Sequence, residues 1–270
     1  MAEVPEVETV VRDIRVALVG RTITGAAVTV PATVRFATPE AFAREIAGAR
    51  IVGAERRAKW ALVRLDGERT LAIHFMLFGH LRLEPEGAAR EATLCLTLHL
   101  DGGEELRLLD RLAYARVALL PDAEVNDRLR LDTLGPEILD PAFAPETLEA
   151  RLGKKRTAIK PVLLDQHVVA GMGNRDADES LWRARIDPRR PAKEIGLDEA
   201  ARLTEAMRAV LAEGLSRRDT LVDLWGQRGT QLEHRQIFER QGKPCPRCGT
   251  PIARIQQSAR NTFFCPHCQQ

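Results

Sequence analysis

Cys245-Pro246-Arg247-Cys248, then sixteen residues, then Cys265-Pro266-His267-Cys268: the rest of the chain is read outward from this stretch. Each Cys-x-x-Cys pair can close a tight knuckle that presents two thiolates to one tetrahedral ion. Two knuckles at this separation fit a four-cysteine zinc site. A redox dithiol or disulfides would draw on the same residues, but the paired spacing favours metal. The expectation is one structural Zn2+ on Cys245, Cys248, Cys265 and Cys268, with no coordination position left open. His267 reads as a bystander, a Cys3His set being the alternative. The segment between the knuckles, 251–264, carries Arg254, Arg260 and Phe263-Phe264. It predicts a metal-pinned hairpin with an arginine near its tip, suited by composition to a nucleic acid or to a protein partner.

Upstream, residues 145–152, 157–165, 177–185 and 197–215 read as helices. The third follows Gly171-Met172-Gly173-Asn174, a turn whose exposed N–H groups at a helix start suit a phosphate, although a plain interhelical connection has the same form. Before residue 120 the pattern is different. Short apolar runs alternate with turns, as in Trp60-Ala61-Leu62-Val63-Arg64-Leu65-Asp66-Gly67 and in residues 93–100 ahead of Asp101-Gly102-Gly103. Such hairpin signals at regular spacing predict an antiparallel β-sandwich or barrel. A helix over residues 7–18 comes first, between Pro5 and Gly20. The remaining cysteine, Cys95, lies in Leu94-Cys95-Leu96-Thr97-Leu98 and reads as a buried structural thiol.

The chain of 270 residues has 40 Lys and Arg against 38 Asp and Glu, a balance that says little until it is divided. Residues 1–150 hold 18 basic and 24 acidic side chains, and residues 151–270 hold 22 and 14. The basic excess of the second part is where a polyanion would be held, unless it is only a solvated face. No apolar run reaches the roughly 18–20 residues of a bilayer span, and the charged first twenty residues do not read as a secretory signal. The expectation is a cytoplasmic protein without a membrane partner.

Taken in order along nearly the whole chain, these pieces resemble the formamidopyrimidine-DNA glycosylase/endonuclease VIII family. The landmarks are Glu3-Val4-Pro5-Glu6-Val7-Glu8-Thr9, Arg56-Arg57-Ala58-Lys59-Trp60, Leu134-Gly135-Pro136-Glu137, and Lys154-Lys155-Arg156-Thr157-Ala158-Ile159-Lys160-Pro161. Gly171-Met172-Gly173-Asn174 and the zinc module with Ala259-Arg260-Asn261-Thr262-Phe263 complete them. The resemblance implies an α+β fold: an N-terminal helix and antiparallel β-sandwich (1–125), a helix-two-turn-helix domain (126–232) and a zinc-finger β-hairpin (233–270). It implies a monomer acting in base-excision repair on damaged double-stranded DNA, with single strands as a further possibility, nucleoid-associated if the source is bacterial.

The same resemblance implies roles. The N-terminal amine is the nucleophile, exposed as Ala2 once Met1 is removed, and Glu3 is the acid for the opening sugar ring. Glu6 supports the amine, Lys59 serves phosphate binding and β-elimination, and Arg260 serves δ-elimination and phosphate binding. Lys155, Gly173 and Asn174 fall at positions that hold DNA phosphates, and Tyr114 is the aromatic wedge. The alternatives are an inert terminus at Ala2 and helix-dipole acids at Glu3, Glu6 and Glu8, the last being the preferred reading for Glu8.

Several positions depart from the family pattern. Ala2 replaces the usual Pro, leaving a primary amine that can still form an imine. His-Leu-Gly-Met-Ser-Gly becomes His74-Phe75-Met76-Leu77-Phe78-Gly79, and Asp-Pro-Arg-Arg-Phe-Gly becomes Asp110-Arg111-Leu112-Ala113-Tyr114-Ala115. Leu77 therefore replaces the Met that fills the space of the flipped base, and Ala113 replaces the Arg that contacts the orphaned base. Arg175-Asp176 replaces Ile-Tyr, placing an acid beside a phosphate site, and the segment 220–245 is shorter than in 8-oxoguanine-specific members. The expected activity is a glycosylase with AP-lyase activity on a lesion other than 8-oxoguanine opposite cytosine. A non-catalytic damage-binding protein and a lyase with little glycosylase activity are the alternatives.

Overall fold

The structure, a computed structural model, describes residues 2–219 and 222–270. Met1, whose removal the amine chemistry requires, lies outside the described residues, as do Thr220 and Leu221 at the start of the shortened segment. The chain forms two compact units, Met1–Asp132 with Arg217–Thr230, and Thr133–Ser216 with Gln231–Gln270.

In the first unit, helix α1 (Val4–Ala17) precedes strand β1 (Ile23–Val28), helix α2 (Pro39–Ile46), and strands β2 (Ile51–Arg57), β3 (Trp60–Leu65) and β4 (Arg69–His74). Strands β5 (His80–Pro85), β6 (Leu94–Leu100), β7 (Glu104–Leu109) and β8 (Arg116–Pro121) follow, then helix α3 (Asp122–Leu129). The strands form two four-stranded sheets, β1-β6-β7-β5 and β2-β3-β4-β8, with every pairing antiparallel. Ile23, Leu96, Leu98 and Leu108 from one sheet share a buried cluster with Ile51, Val63, Leu71 and Val117 from the other. That shared core makes the sheets a sandwich. Helix α1 adds Val7, Val10, Val11 and Ile14 to the same cluster, an i, i+3, i+4, i+7 stripe. It begins three residues earlier than expected, because Pro5 sits within its first turn, where the missing N–H has no helical partner to lose. Cys95, in β6, is buried.

In the second unit, α4 (Pro145–Leu152), α5 (Ile159–Leu163), α6 (Asn174–Ala184) and α7 (Leu197–Ser216) precede the hairpin β9 (Ala253–Gln257) and β10 (Arg260–Phe264). Helix α6 starts at Asn174 rather than 177, with Gly173 as its extended N-cap. Trp182, Ile237, Ile252 and Phe263 pack with Cys245 and Cys265 in one cluster, so the zinc module shares a core with the helices.

The zinc module and the helices fall in the same compact unit. Residues 217–230 return to the sandwich unit, where Leu224 enters the core, Leu83 N–H donates to the Leu224 carbonyl at 2.8 Å, and Arg218 pairs with Asp13 at 2.7 Å. The sequence of that stretch is polar and turn-rich, so the buried Leu224 gave no visible periodicity.

Candidate active site and nucleic-acid interface

Antiparallel register brings three connections to one end of the β2-β3-β4-β8 sheet. Arg57 pairs with Trp60, Trp60 with His74, and His74 with Arg116. The Ala58-Lys59 turn, loop 75–79 and loop 110–115 consequently emerge together. The start of α1 joins them: the Ala2 nitrogen donates to the Met76 carbonyl at 2.9 Å. Ala2, Glu3 and Glu6 are all buried. Glu3 is the N-cap of α1, and its N–H donates to the Glu6 carboxylate. This capping box fixes how Ala2 leads into the helix.

Lys59 is buried in a two-residue turn whose other member, Ala58, has φ +50. Arg56 Nη1 donates to the Ala58 carbonyl at 2.9 Å, while its Nε reaches Glu8 at 3.1 Å. Glu8 also meets Arg12 and Arg15. The dipole reading of Glu8 is thus corrected, because α1 starts at Val4 and leaves Glu8 beyond the first turn, where it anchors the Lys59 turn through Arg56. His74 packs edge-on against Trp60, with ring centroids 4.8 Å apart. Burial and, secondarily, the Lys59 ammonium hold its pKa down to about 4. The neutral ring accepts the Met76 N–H on Nδ1 at 3.1 Å, which leaves the proton on Nε2. The sequence named His74 only as part of a motif; its place in the hydrogen-bond chain to Ala2 needed the register.

Loop 110–115 is built around one carboxylate. Asp110 accepts the N–H groups of Leu112 and Tyr114 at 2.9 Å and of Ala115 at 2.8 Å. Arg116 donates to the carbonyls of Ala113 and Ala115. The loop presents Tyr114 outward, 46% exposed.

The second unit carries the basic and phosphate-suited groups. Gln166 holds the glycine turn from both sides, accepting from Gly171 N–H at 2.8 Å and donating to the Met172 carbonyl at 3.1 Å. Gly135 has to be glycine, since a Cβ there would lie 2.6 Å from the Val168 carbonyl oxygen. Asn174, first residue of α6, donates from Nδ2 to the Asn261 carbonyl at 3.2 Å. Lys160 Nζ donates to the same carbonyl at 2.8 Å and pairs with Asp178 at 2.7 Å, the two side chains 1% and 0% exposed. Asp178 in turn accepts the Phe263 N–H at 3.1 Å. Burial raises this carboxyl to about 7 against the pull of Lys160. The neighbouring Glu179 accepts the N–H groups of Gln236, Ile237 and Phe238.

Asn174, Gly173 and Arg260 are therefore brought together by a buried clamp between α5, α6 and β10 that sequence reasoning did not single out. Its only signals were a Lys inside Ile159-Lys160-Pro161-Val162 and acids on the apolar side of α6. Lys155 stands apart, half exposed, its ammonium 3.6 Å from Asp165. Asp176 is not an open acid beside a phosphate site: it is buried and pairs with Arg175 at 3.1 Å.

The four cysteine sulfurs lie within 4.8 Å of one another, with Cys248–Cys265 at 3.5 Å and Cys245–Cys268 at 4.0 Å. Tetrahedral Zn–S bonds of about 2.3 Å require sulfurs roughly 3.8 Å apart, far longer than a disulfide. The donor set fits one structural zinc ion, and His267 is outside the cluster. At the far end of the hairpin, Ser258 and Ala259 have φ +46 and +60, and Arg260 is exposed. Among the described residues no helix is long and apolar enough to cross a membrane.

Residues 1–117 match the formamidopyrimidine-DNA glycosylase N-terminal domain, 134–224 its H2TH domain, and 242–270 the zinc finger found in FPG and IleRS. The formamidopyrimidine-DNA glycosylase of Chloroflexus aurantiacus is 42% identical, over all of this chain and 98% of its own length. That of Moorella thermoacetica is 44% identical over 95% of each. Among solved structures, the Lactococcus lactis Fpg in complex with abasic-site DNA aligns over both full chains with a TM-score of 0.93 at 30% identity. Complexes of the same protein with DNA containing an oxidised pyrimidine or Fapy-dG align comparably. With three successive domain models and full-length relatives in agreement, this chain belongs to the formamidopyrimidine-DNA glycosylase family.

Proposed function

We propose that this chain is a base-excision DNA glycosylase with AP-lyase activity whose nucleophile is the α-amine of Ala2, exposed by removal of Met1. The observation that carries the reading is the placement of the Ala2 nitrogen. It is buried and oriented by the Met76 carbonyl, beside the Glu3–Glu6 capping box and the His74–Lys59 pair. An α-amine titrates near 7.7–8, so a useful fraction is neutral at pH 7, far more than for a lysine near 10.4; burial lowers an amine further.

The neutral amine attacks C1′ of the deoxyribose, and the damaged base leaves with the electron pair of the glycosidic bond and takes up the proton that the attacking nitrogen sheds. Glu3 then gives a proton to the ring oxygen as the C1′–oxygen bond breaks, and the nitrogen lone pair closes an iminium between Ala2 and C1′. Loss of a C2′ proton then expels the 3′ phosphate by β-elimination, and water releases the amine. Glu6 keeps the Glu3 backbone in place, and Lys59 and Arg260 serve the phosphates flanking the sugar. Asn174 and Gly173, at the start of α6, hold a further phosphate, with Lys155 contributing charge nearby. Zinc supplies no chemistry here; when bound it fixes the hairpin that carries Arg260.

Tyr114 enters the stack where the damaged nucleotide leaves it. Ala113 offers no donor to the partner base, and Leu77 differs in shape from the family's Met. The substrate is accordingly a lesion other than 8-oxoguanine paired with cytosine: an oxidised pyrimidine, a ring-opened purine, a bulky adduct or a lesion in a single strand. Borohydride trapping on abasic-site DNA, followed by a panel of duplexes each carrying one damaged base, tests the reading. Adducts with base release from the panel support it. Adducts on abasic DNA alone point to a lyase, and tight binding without adducts to a damage-binding protein, the reading that Ala2 in place of Pro would favour.

A further inference from the structure

The zinc module holds helix α6 at both ends. At the start of the helix, Asn174 donates to the Asn261 carbonyl of β10 at 3.2 Å, and one turn on Asp178 accepts the Phe263 N–H. At the other end the first knuckle takes over. Arg247, between Cys245 and Cys248, donates from Nη1 to the Trp182 carbonyl at 2.6 Å and from Nη2 to the Arg183 carbonyl at 3.0 Å. The last carbonyls of a helix lack partners within it and form the negative end of its dipole, so a guanidinium there supplies both donors and charge.

Trp182 lies between the helix and the knuckle. Its side chain is buried in one cluster with Cys245 and Cys265, and the Arg247 guanidinium carbon stands 4.0 Å from the centroid of its ring. Stacking fixes the guanidinium plane over the indole while its N–H edge serves the helix carbonyls. The indole Nε1 is buried, and no oxygen or nitrogen of the described residues accepts its proton. The acceptor on its side is the Cys245 sulfur. In the zinc-bound site that sulfur is a thiolate, and a charged acceptor makes the stronger hydrogen bond.

We propose that Trp182 and Arg247 are positioning residues that tie the zinc site to α6: the indole N–H donates to the Cys245 thiolate, and Arg247, carried by the closed knuckle, caps the helix end. Metal loading thereby fixes the helix whose first residue, Asn174, meets a phosphate about 16 Å away, the length of eleven residues at 1.5 Å each. The link to zinc stands on the cysteine cluster and its neighbours; only the link to phosphate rests on the proposed function.

The test has two arms. In the first, the zinc affinity of the full chain is measured by competition with a chelating dye, and the cobalt-substituted chain is read by its sulfur-to-cobalt charge-transfer absorption. Trp182→Phe keeps the ring that packs and stacks, and removes the N–H. It should weaken metal binding roughly 10-fold and move the charge-transfer band to longer wavelength, because a sulfur without its hydrogen bond gives up charge more easily. An unshifted band with unchanged affinity overturns the hydrogen bond and leaves Trp182 a packing residue. In the second arm, zinc-saturated Arg247→Gln is titrated onto a duplex with a tetrahydrofuran abasic analogue at several salt concentrations. Affinity should fall roughly 2- to 30-fold with its logarithmic salt slope unchanged, since no phosphate contact is lost. Arg247→Lys, able to cap one carbonyl but not two, should recover part of the loss. Unchanged affinity breaks the link between knuckle and helix, and a slope smaller by about 0.9 makes Arg247 itself a phosphate ligand; either result overturns the inference. Failure of the unaltered chain to bind the duplex would instead count against the proposed function, with the cobalt spectrum still deciding the role of Trp182.

Discussion

Replacing Asp178 by Asn tests the clamp that holds the zinc hairpin against the phosphate-suited start of α6. The change is nearly isosteric, and the Asn carbonyl can still accept the Phe263 N–H now bound at 3.1 Å. What it removes is the counter-charge 2.7 Å from Lys160, in a site where both side chains are essentially inaccessible. Breaking a buried pair by neutralising one partner costs about 3–5 kcal/mol, and retention of the Lys160–Asn261 hydrogen bond places this case near 3. Adding Lys160→Met removes the orphaned charge and should recover most of the loss, because a well-packed apolar side chain in place of a buried ion pair is often neutral or stabilising. Urea unfolding of the zinc-loaded protein at pH 8 measures both, and with a slope of about 2–3 kcal/mol/M the single variant's midpoint falls by roughly 1 M or more. The reasoning is refuted if Asp178→Asn costs under 1 kcal/mol, or if the double variant is less stable than the single.

Other consequences are open to simpler measurements. His74 titrates near 4 when folded and near 6.5 unfolded, so the unfolded chain takes up the proton first. Stability is complete above pH 6.5 and declines by up to about 3 kcal/mol as pH falls to 4; His74→Asn should flatten that part of a pH-resolved unfolding series. Ser258 and Ala259 occupy left-handed backbone in a two-residue hairpin turn, so Ala259→Gly should slow amide exchange at Thr262, with a gain of at most about 1 kcal/mol; faster exchange counts against it. Cys265→Ser should release the zinc in a metal-sensitive dye assay and abolish specific DNA affinity. Far-UV circular dichroism should meanwhile retain the sandwich signal, since the two compact units have separate cores.

Elements with strong local rules were legible in the sequence. The zinc knuckles, the α1 stripe and the Asp-Gly hairpins were placed within a few residues, and α4 was placed at its observed bounds. Long-range features were not. That Trp60, His74 and Arg116 align across three strands follows from register, which a period-2 pattern does not fix between strands. Lys160 and Asp178 were not singled out, because their burial depends on a hairpin more than 80 residues away. The Trp182–Arg247 stack likewise joins a helix end to a knuckle 65 residues later.

The most direct test of the central claim is to trap the protein on a duplex with one abasic site using borohydride and map the adduct by peptide mass spectrometry. The account predicts a reduced sugar adduct on the Ala2 nitrogen of a chain lacking Met1. An adduct on Lys59 instead, or none from a zinc-loaded chain already processed to Ala2, would contradict it.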